Sequence, residues 1–398
     1  MSDEAWRWFV ALDGGELNGL IGPAGVMRFE WPSRKLNYRF YEGISGGHNV
    51  SISPSGKHLL LGNFSQQLVL VDTRTLELVN RAATLWIEET DYRFRATTHH
   101  LWLDDHSFIG AVGDHLYEFR LDNLREPIKL GPHRLWTPHE LRWTHDQRFI
   151  LMGDMGPESS GARQVGIFDR KDPKNPMVIK LPGTVWHTYV HATKNIGYAA
   201  TYTTATQDDA YVEWGPAYER EYIFEIDLES GRVARVWSCG AEFPIHLNSD
   251  LELWTGNSPE EERLYVASGG GHSVVEVDLH NFATTRVVSV MPGLWGRFWS
   301  FRQRFRNIIG AFARKSFYGA SHLYLQTYLV TDWRTFDGVY CTRISPDGRY
   351  LIAGSRGYNY LRVMDRQTLE PVYDRRLPTY ERLHLGLHHS EIAAGATD

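Results

Sequence analysis

Four histidines, His48, His99, His139 and His187, each open a 16-residue window of one design. Imidazole can bind a transition metal or move a proton near neutral pH, so their shared position is where chemistry is to be sought. The windows run from His48 to Asn63, His99 to Asp114, His139 to Asp154 and His187 to Tyr202, and they align without gaps. Neutral ring nitrogen suits iron, copper, nickel and zinc, so four imidazoles brought together would hold a divalent transition metal. His246 and His384 stand near the starts of two further strands and are alternates for one of the four. A fifth window, Tyr340 to Ser355, has tyrosine in the first place, a candidate acid, base or phenolic donor. Glu140 directly follows His139 and is a candidate acid–base group or an outer partner of the metal, pointing to the opposite strand face. Trp136, Trp143 and Trp186 near the window starts could line a pocket for flat or apolar groups, and Arg142 could clamp a substrate carboxylate. The tandem pairs His99 and His100, and His388 and His389, alternate in strand facing, so each pair offers one ligand to a given centre. The competing use of all these histidines is as hydrogen-bonded lining of a channel.

Something must bring the window starts together, and the rest of the pattern says what. Runs of β-branched and aromatic residues, broken by Gly, Asp, Asn and Pro about every ten positions, recur from end to end, which predicts an all-β chain. The unit from His48 to Val79 contains four strands, the content of one propeller blade. A further blade reads from about His246 to Val290. At the ends, 6–12, 26–31 and 36–41 supply three strands without an inner partner, and 383–394 supplies one strand without a blade. Pairing them closes the ring with a composite blade and removes an exposed edge. The expectation is a single β-propeller domain over 1–398 with seven blades, its innermost strands lining a central channel and the four histidines ringing one mouth. The stretch 294–336 departs from the pattern: from Arg297 to Lys315 apolar residues recur three or four apart among arginines, which predicts an amphipathic helix inserted between blades. An eighth blade using 323–330 is the competing count.

Ser53, Pro54, Ser55 and Gly56 are echoed by Ser345, Pro346, Asp347 and Gly348, and three windows end in Gly followed by Asn or Asp, at Gly62, Gly113 and Gly153. These turns resemble the strand-turn-strand signature of YVTN, lactonase-like and WD40-like propellers, a resemblance that speaks to fold and not to activity. The four-histidine arrangement is similar to that of the carotenoid cleavage oxygenases. That likeness implies ferrous iron on His48, His99, His139 and His187, positions open to dioxygen, and an apolar or aromatic alkene as substrate. The length and histidine content are also similar to those of the oligogalacturonate lyases, which would imply manganese and a uronate sugar. A third reading is a propeller that offers its rim to a protein partner and catalyses nothing.

Composition narrows the field. With 42 basic and 48 acidic residues the net charge is −6, which argues against a general nucleic-acid partner. Cys239 and Cys341 are too far apart for a thiolate metal motif and too few for a disulfide framework. No signal peptide and no apolar run near 18 residues can be read, so the expected location is the cytoplasm, as a monomer or homodimer. The basic helix at 297–315 could also rest against a membrane surface. The expected protein is thus a metal-dependent enzyme, iron(II) favoured over manganese, acting on an apolar, aromatic or sugar substrate.

Overall fold

The computed structural model describes residues 4–14, 22–65, 67–83, 99–156, 162–201, 221–239, 248–256, 258–268, 273–290, 338–356, 359–380 and 384–395. Its strands form seven four-stranded antiparallel sheets, the blades of an all-β propeller. Among the described residues the sole helix is a 3-10 turn at Pro259–Glu261. The expected helix at 297–315 and the alternative eighth blade both lie outside the described residues, as does His246.

The first blade is β1 (Trp6–Leu12), β2 (Pro23–Trp31) and β3 (Leu36–Ser45). The second is β4 (Gly47–Ile52), β5 (His58–Asn63), β6 (Gln67–Asp72) and β7 (Leu78–Ala83), and the third β8 (His100–Trp102), β9 (Ser107–Val112), β10 (His115–Arg120) and β11 (Asn123–Pro132). The fourth is β12 (Pro138–Trp143), β13 (Phe149–Asp154), β14 (Gln164–Asp169) and β15 (Met177–Lys180). Then come β16 (Val185–Val190), β17 (Ile196–Thr201), β18 (Glu221–Asp227) and β19 (Arg232–Cys239), followed by β20 (Asn248–Trp254), β21 (Arg263–Ser268), β22 (Ser273–Asp278) and β23 (Ala283–Ser289). The last full set is β24 (Val339–Ile344), β25 (Tyr350–Ser355), β26 (Tyr360–Asp365) and β27 (Pro371–Arg376). The final strand, β28 (Leu387–Ala394), pairs with β1, so the first blade is built from both termini as the unpaired end strands predict.

The chain groups into two compact units: Met1–Arg134 with Asp172–Pro176 and Arg343–Asp398, and Leu135–Lys171 with Met177–Thr342. In the first, Leu59 and Leu61 of β5 pack with Phe9, Val26 and Val69, while Leu60 faces the other way against Trp102, Phe108 and Phe119. A middle strand buried on both faces needs no polar alternation, which is why Leu59, Leu60 and Leu61 stand in a row. The terminal closure is cemented by aromatics: the rings of Trp6 and Trp31 stack 5.7 Å apart, and Tyr350 lies 5.1 Å from Trp31. In the second unit, Phe149, Leu151 and Ile167 pack with Val185, Ala199 and Phe224 between adjacent blades. The opposite face of that sheet joins Tyr198 and Ile223 to Leu251, Leu264 and Val275.

Candidate metal centre

Each window spans the innermost strand of a blade and the strand beside it, so its first residue falls at the start of the inner strand. What the windows do not reveal is a bulge there. On β4 the pairing to β5 jumps from Gly47 to Asn49, leaving His48 as the extra residue. On β12 it jumps from His139 to Arg142, on β16 from Val185 to Thr188, and on β28 from Leu387 to Ser390. A bulge takes residues out of the hydrogen-bonded ladder, twists the strand and re-aims side chains, and it is a recurrent device beside functional sites. Glu140 marks one of these with a left-handed φ of 50°, uncommon for a residue with a β-carbon.

In the first unit the bulges of β4 and β28 and the start of β8 gather imidazoles. His48 and His99 are each 4% exposed, His388 5% and His389 1%. Ring centres lie 5.0 Å apart for His48 and His99, 4.2 Å for His48 and His388, 5.1 Å for His48 and His389, and 5.2 Å for His99 and His389. His48, His99 and His389 each present a ring nitrogen, and these atoms lie within 4.8 Å of one another. Bonds of about 2.0–2.1 Å from imidazole to zinc set ligand nitrogens roughly 3–4 Å apart, so the widest-spaced nitrogens need to close by roughly one to two ångströms. No carboxylate or thiolate belongs to the set. Protonating two such rings about 5 Å apart would cost about 3 kcal/mol of repulsion at an effective dielectric of 20, so a cation bound to neutral rings is the economical way to place positive charge there.

The second unit holds its histidines differently. His139 is fully buried and its Nδ1–H donates to the Trp186 carbonyl at 3.1 Å, which leaves Nε2 as the acceptor nitrogen of the ring. Gly153, opposite His139 in the ladder, is what allows that approach, because a β-carbon there would stand 2.0 Å from the Trp186 oxygen. His187 donates Nδ1–H to Oε2 of Glu140 at 3.0 Å, and the same oxygen accepts the Thr188 backbone N–H at 3.0 Å. Arg142 bonds the other oxygen at 2.8 Å. Burial alone would raise the Glu140 carboxyl, but the Arg142 guanidinium and the His187 hydrogen bond override it and hold it far below the usual carboxylate range. The His139 and His187 rings meet edge to face, 4.9 Å between centres.

Of the expected residues, His48 and His99 stand in the first unit with His389 in a group whose nitrogens could hold a metal ion, and in the second unit His187 bonds Glu140. His384 precedes β28 and is not in the ligand group, and His389 takes the place that sequence reasoning gave to others. Of the His388 and His389 pair only His389 joins the ligand group, as expected of a tandem pair, although both rings approach His48 because the bulge on β28 breaks the alternation of faces. The expectation also holds for the earlier pair, since His99 joins the cluster and His100 packs on Phe108 within the blade. Burial pushes the His100 imidazole down to about 3. Tyr340 is buried at the start of β24. Trp186 is buried at the β16 bulge, Trp143 lies beneath the Arg170 guanidinium at 5.8 Å, and Trp136 is 46% exposed. Arg142 is engaged by Glu140 and lies 5.2 Å from the Tyr189 ring centre.

The propeller class is shared with solved structures of very low sequence identity. The dihydro-heme d1 dehydrogenase NirN, in complex with DHE, aligns over 96% of this chain and 74% of its own at 13% identity and a TM-score of 0.55. Hydrazine synthase of Kuenenia stuttgartiensis aligns over 90% of this chain and 100% of its own, at 12% identity and a TM-score of 0.56. Apo AztD from Citrobacter koseri covers 99% of both chains at 9% identity and 0.51. These likenesses speak to the fold alone. No protein-family profile and no curated protein sequence matches the chain. No helix among the described residues is long and apolar enough to cross a membrane.

Proposed function

We propose that the chain is an enzyme built around one divalent transition-metal ion, held by His48, His99 and His389. The observation that carries the reading is a buried group of imidazoles, all nitrogen and no acid, with His48 and His389 delivered by bulged strands and His99 by the residue before β8. Chelation by three neutral rings would leave the full charge of the ion in place and room for dioxygen or substrate, which suits iron(II), copper or zinc. Iron(II) oxygenase chemistry on an apolar or aromatic small molecule is the preferred form, with Trp186 the buried aromatic beside the His139 arm and Tyr340 the candidate proton donor. Manganese and lyase chemistry fit less well, because manganese favours carboxylate ligands and Arg142, the residue to grip a uronate, already holds Glu140.

The test is elemental analysis of untagged protein beside the triple variant His48→Ala, His99→Ala, His389→Ala. About one transition-metal ion per chain, lost in the triple variant, together with oxygen uptake that depends on iron(II), is the expected result. Metal without oxygen uptake but with an ultraviolet-absorbing unsaturated product moves the assignment to a lyase. No metal in the wild type after reconstitution overturns the centre and leaves the protein-binding scaffold as the reading.

A further inference from the structure

The residues of a bulge are out of the ladder, so their direction is set by what grips the chain at either end. On β28 the far end of the bulge is Ser390, paired with Val10 of β1. The near end follows the Leu385–Gly386 peptide, which is held from two sides. The Leu385 N–H donates to Oδ1 of Asn359 at 3.1 Å, and the carbonyls of Leu385 and Gly386 accept the backbone N–H groups of Gly14 and Asp13 at 3.0 and 2.9 Å. Asn359 is itself pinned: it is 1% exposed, and its Nδ2 donates to the Leu377 and Pro378 carbonyls at 3.0 and 2.7 Å. It closes the turn between β25 and β26 with a left-handed φ of 51°. Arg356 of the same turn grips Oδ2 of Asp13 with Nε and Nη2 at 3.0 and 2.7 Å. One turn thus reaches both holders of the near end, Leu385 directly and Asp13 through its carboxylate. All of these residues belong to the first unit, as do His48, His99 and His389.

We propose that Asn359 is a positioning residue of the metal centre: by anchoring Leu385 it sets where the chain enters the β28 bulge, and so where His389 presents its ring. The proposal rests on the metal reading given above. Asn359 touches neither ion nor substrate in it. The turn alone requires only a residue that tolerates a left-handed φ, and glycine would serve. The buried carboxamide does more, since its acceptor is spent on the strand that carries a ligand and its donors on the chain that follows β27. An entry point fixed before the ion arrives leaves His389 less freedom to lose on binding.

The experiment uses full-length protein stripped of metal and titrated with copper(II), with affinity taken from competition with a chromophoric chelator and ligand geometry from the electron paramagnetic resonance spectrum. Asn359→Gly keeps the turn and cuts the side-chain bonds, and Gly386→Ala disturbs the same peptide from within, at a φ of 70°. Thr73→Val is the control: its buried hydroxyl donates to the Gly56 and Lys57 carbonyls at 2.6 and 3.1 Å, a turn staple at the end of β5 remote from His48. Asn359→Gly and Gly386→Ala are expected to bind copper(II) about 10–100-fold more weakly, with altered spectra, whereas Thr73→Val lowers the melting temperature and changes neither. In a His389→Ala background, Asn359→Gly should alter the residual affinity by less than about threefold, because the ligand it positions is gone. Wild-type affinity and spectrum in Asn359→Gly overturn the proposal, and so does an equal loss in the His389→Ala background or in Thr73→Val. If Asn359→Gly does not fold, Gly386→Ala carries the same comparisons, and unchanged binding in it overturns the proposal. Failure of the wild type to bind copper(II) overturns the metal reading and this inference with it, whereas normal binding in wild type and Asn359→Gly alike overturns the inference only.

Discussion

In the first unit His48, His99, His388 and His389 face one another, with ring centres 4.2–5.2 Å apart. In the second, His187 donates to Glu140, and His191 donates Nε2–H to Glu262 at 3.1 Å while its Nδ1 accepts the Thr193 backbone N–H. Both groups are buried, so burial is not what separates them. His191 shows how a protein satisfies a histidine for its own stability: a carboxylate on one nitrogen, a backbone group on the other, and a cation, Lys194, to share the charge. The first group presents imidazole to imidazole, an arrangement that gains from a cation brought from outside. The comparison thus turns on what each histidine is for, and it can be broken.

The sharpest break is a matched pair of truncations. His389→Ala is expected to lower metal affinity by at least about 100-fold while the apo protein keeps its melting temperature to within a few degrees. His191→Ala should do the reverse, leaving metal content intact and costing about 1–3 kcal/mol because Glu262 loses a buried partner. Elemental analysis and urea unfolding on the same preparations decide it, and equal metal loss in both variants would erase the distinction between the groups.

If the proposed ion binds, its removal is the next largest perturbation. At a free metal concentration a hundredfold above its dissociation constant, binding should stabilise the native state by about 2.7 kcal/mol. The gain should be unevenly spread. His389 lies on β28, whose place in the first blade depends on pairing with β1. Hydrogen exchange at Leu387–Ala394 should therefore slow on metal addition more than exchange in β22, which carries no histidine. Uniform slowing would mean that the ion does not clamp the terminal closure.

These contrasts also show how much could be read without coordinates. Fold was legible because a propeller repeats itself: the 16-residue windows are pairs of adjacent strands, and the stray strands at the two ends had to find each other. The register position of the site was legible for the same reason. Candidate ligands were legible in part, since His48 and His99 stand in a group that could hold a metal ion. His389 joins that group and His187 bonds Glu140 for causes that no window records. A carboxylate 47 residues away claims His187, and a bulge on β28 cancels the alternation that made one member of the His388 and His389 pair face away. Aligning the closing strand to the windows by its histidines was the one signal that could have exposed His389. The Gly153 position was visible as a repeated turn residue, but its use, making room for the Trp186 carbonyl, is a contact between blades.

Acid sharpens the comparison from another side, because a histidine kept neutral by the fold must be protonated on unfolding. His133 is fully buried in the first unit, and its Nε2–H donates to the Gly113 carbonyl at 2.9 Å. Burial lowers it from 6.5 to about 4, with the Gly113 bond only partly opposing. A folded value below the unfolded one means that the contribution is fully present above pH 6.5 and is lost as pH falls toward 4. Between pH 7.5 and 5 that loss is about 2 kcal/mol from His133 alone. His133→Gln keeps a donor for Gly113 and cannot titrate, so its stability should fall less steeply over that interval in urea titrations, and an unchanged slope would contradict the assignment.

The smallest expected effect tests whether the aromatic residues near the inner strands do anything beyond packing. Trp143 is partly buried at the end of β12, under Arg170, so Trp143→Ala removes a cation–π contact and some apolar cover. Both are modest at a half-exposed site, and the expected cost is about 1 kcal/mol. Trp186 differs: it is buried, and its backbone oxygen holds the His139 ring. Trp186→Phe keeps that oxygen and most of the volume, so metal affinity should stay within about threefold of wild type while the pocket beside the His139 arm changes shape. Activity toward an aromatic substrate should then fall in Trp186→Phe and hold in Trp143→Ala. Equal activity in both would remove Trp186 from the substrate's surroundings and leave the two tryptophans as packing, one deep and one shallow, with the metal centre unaffected by either.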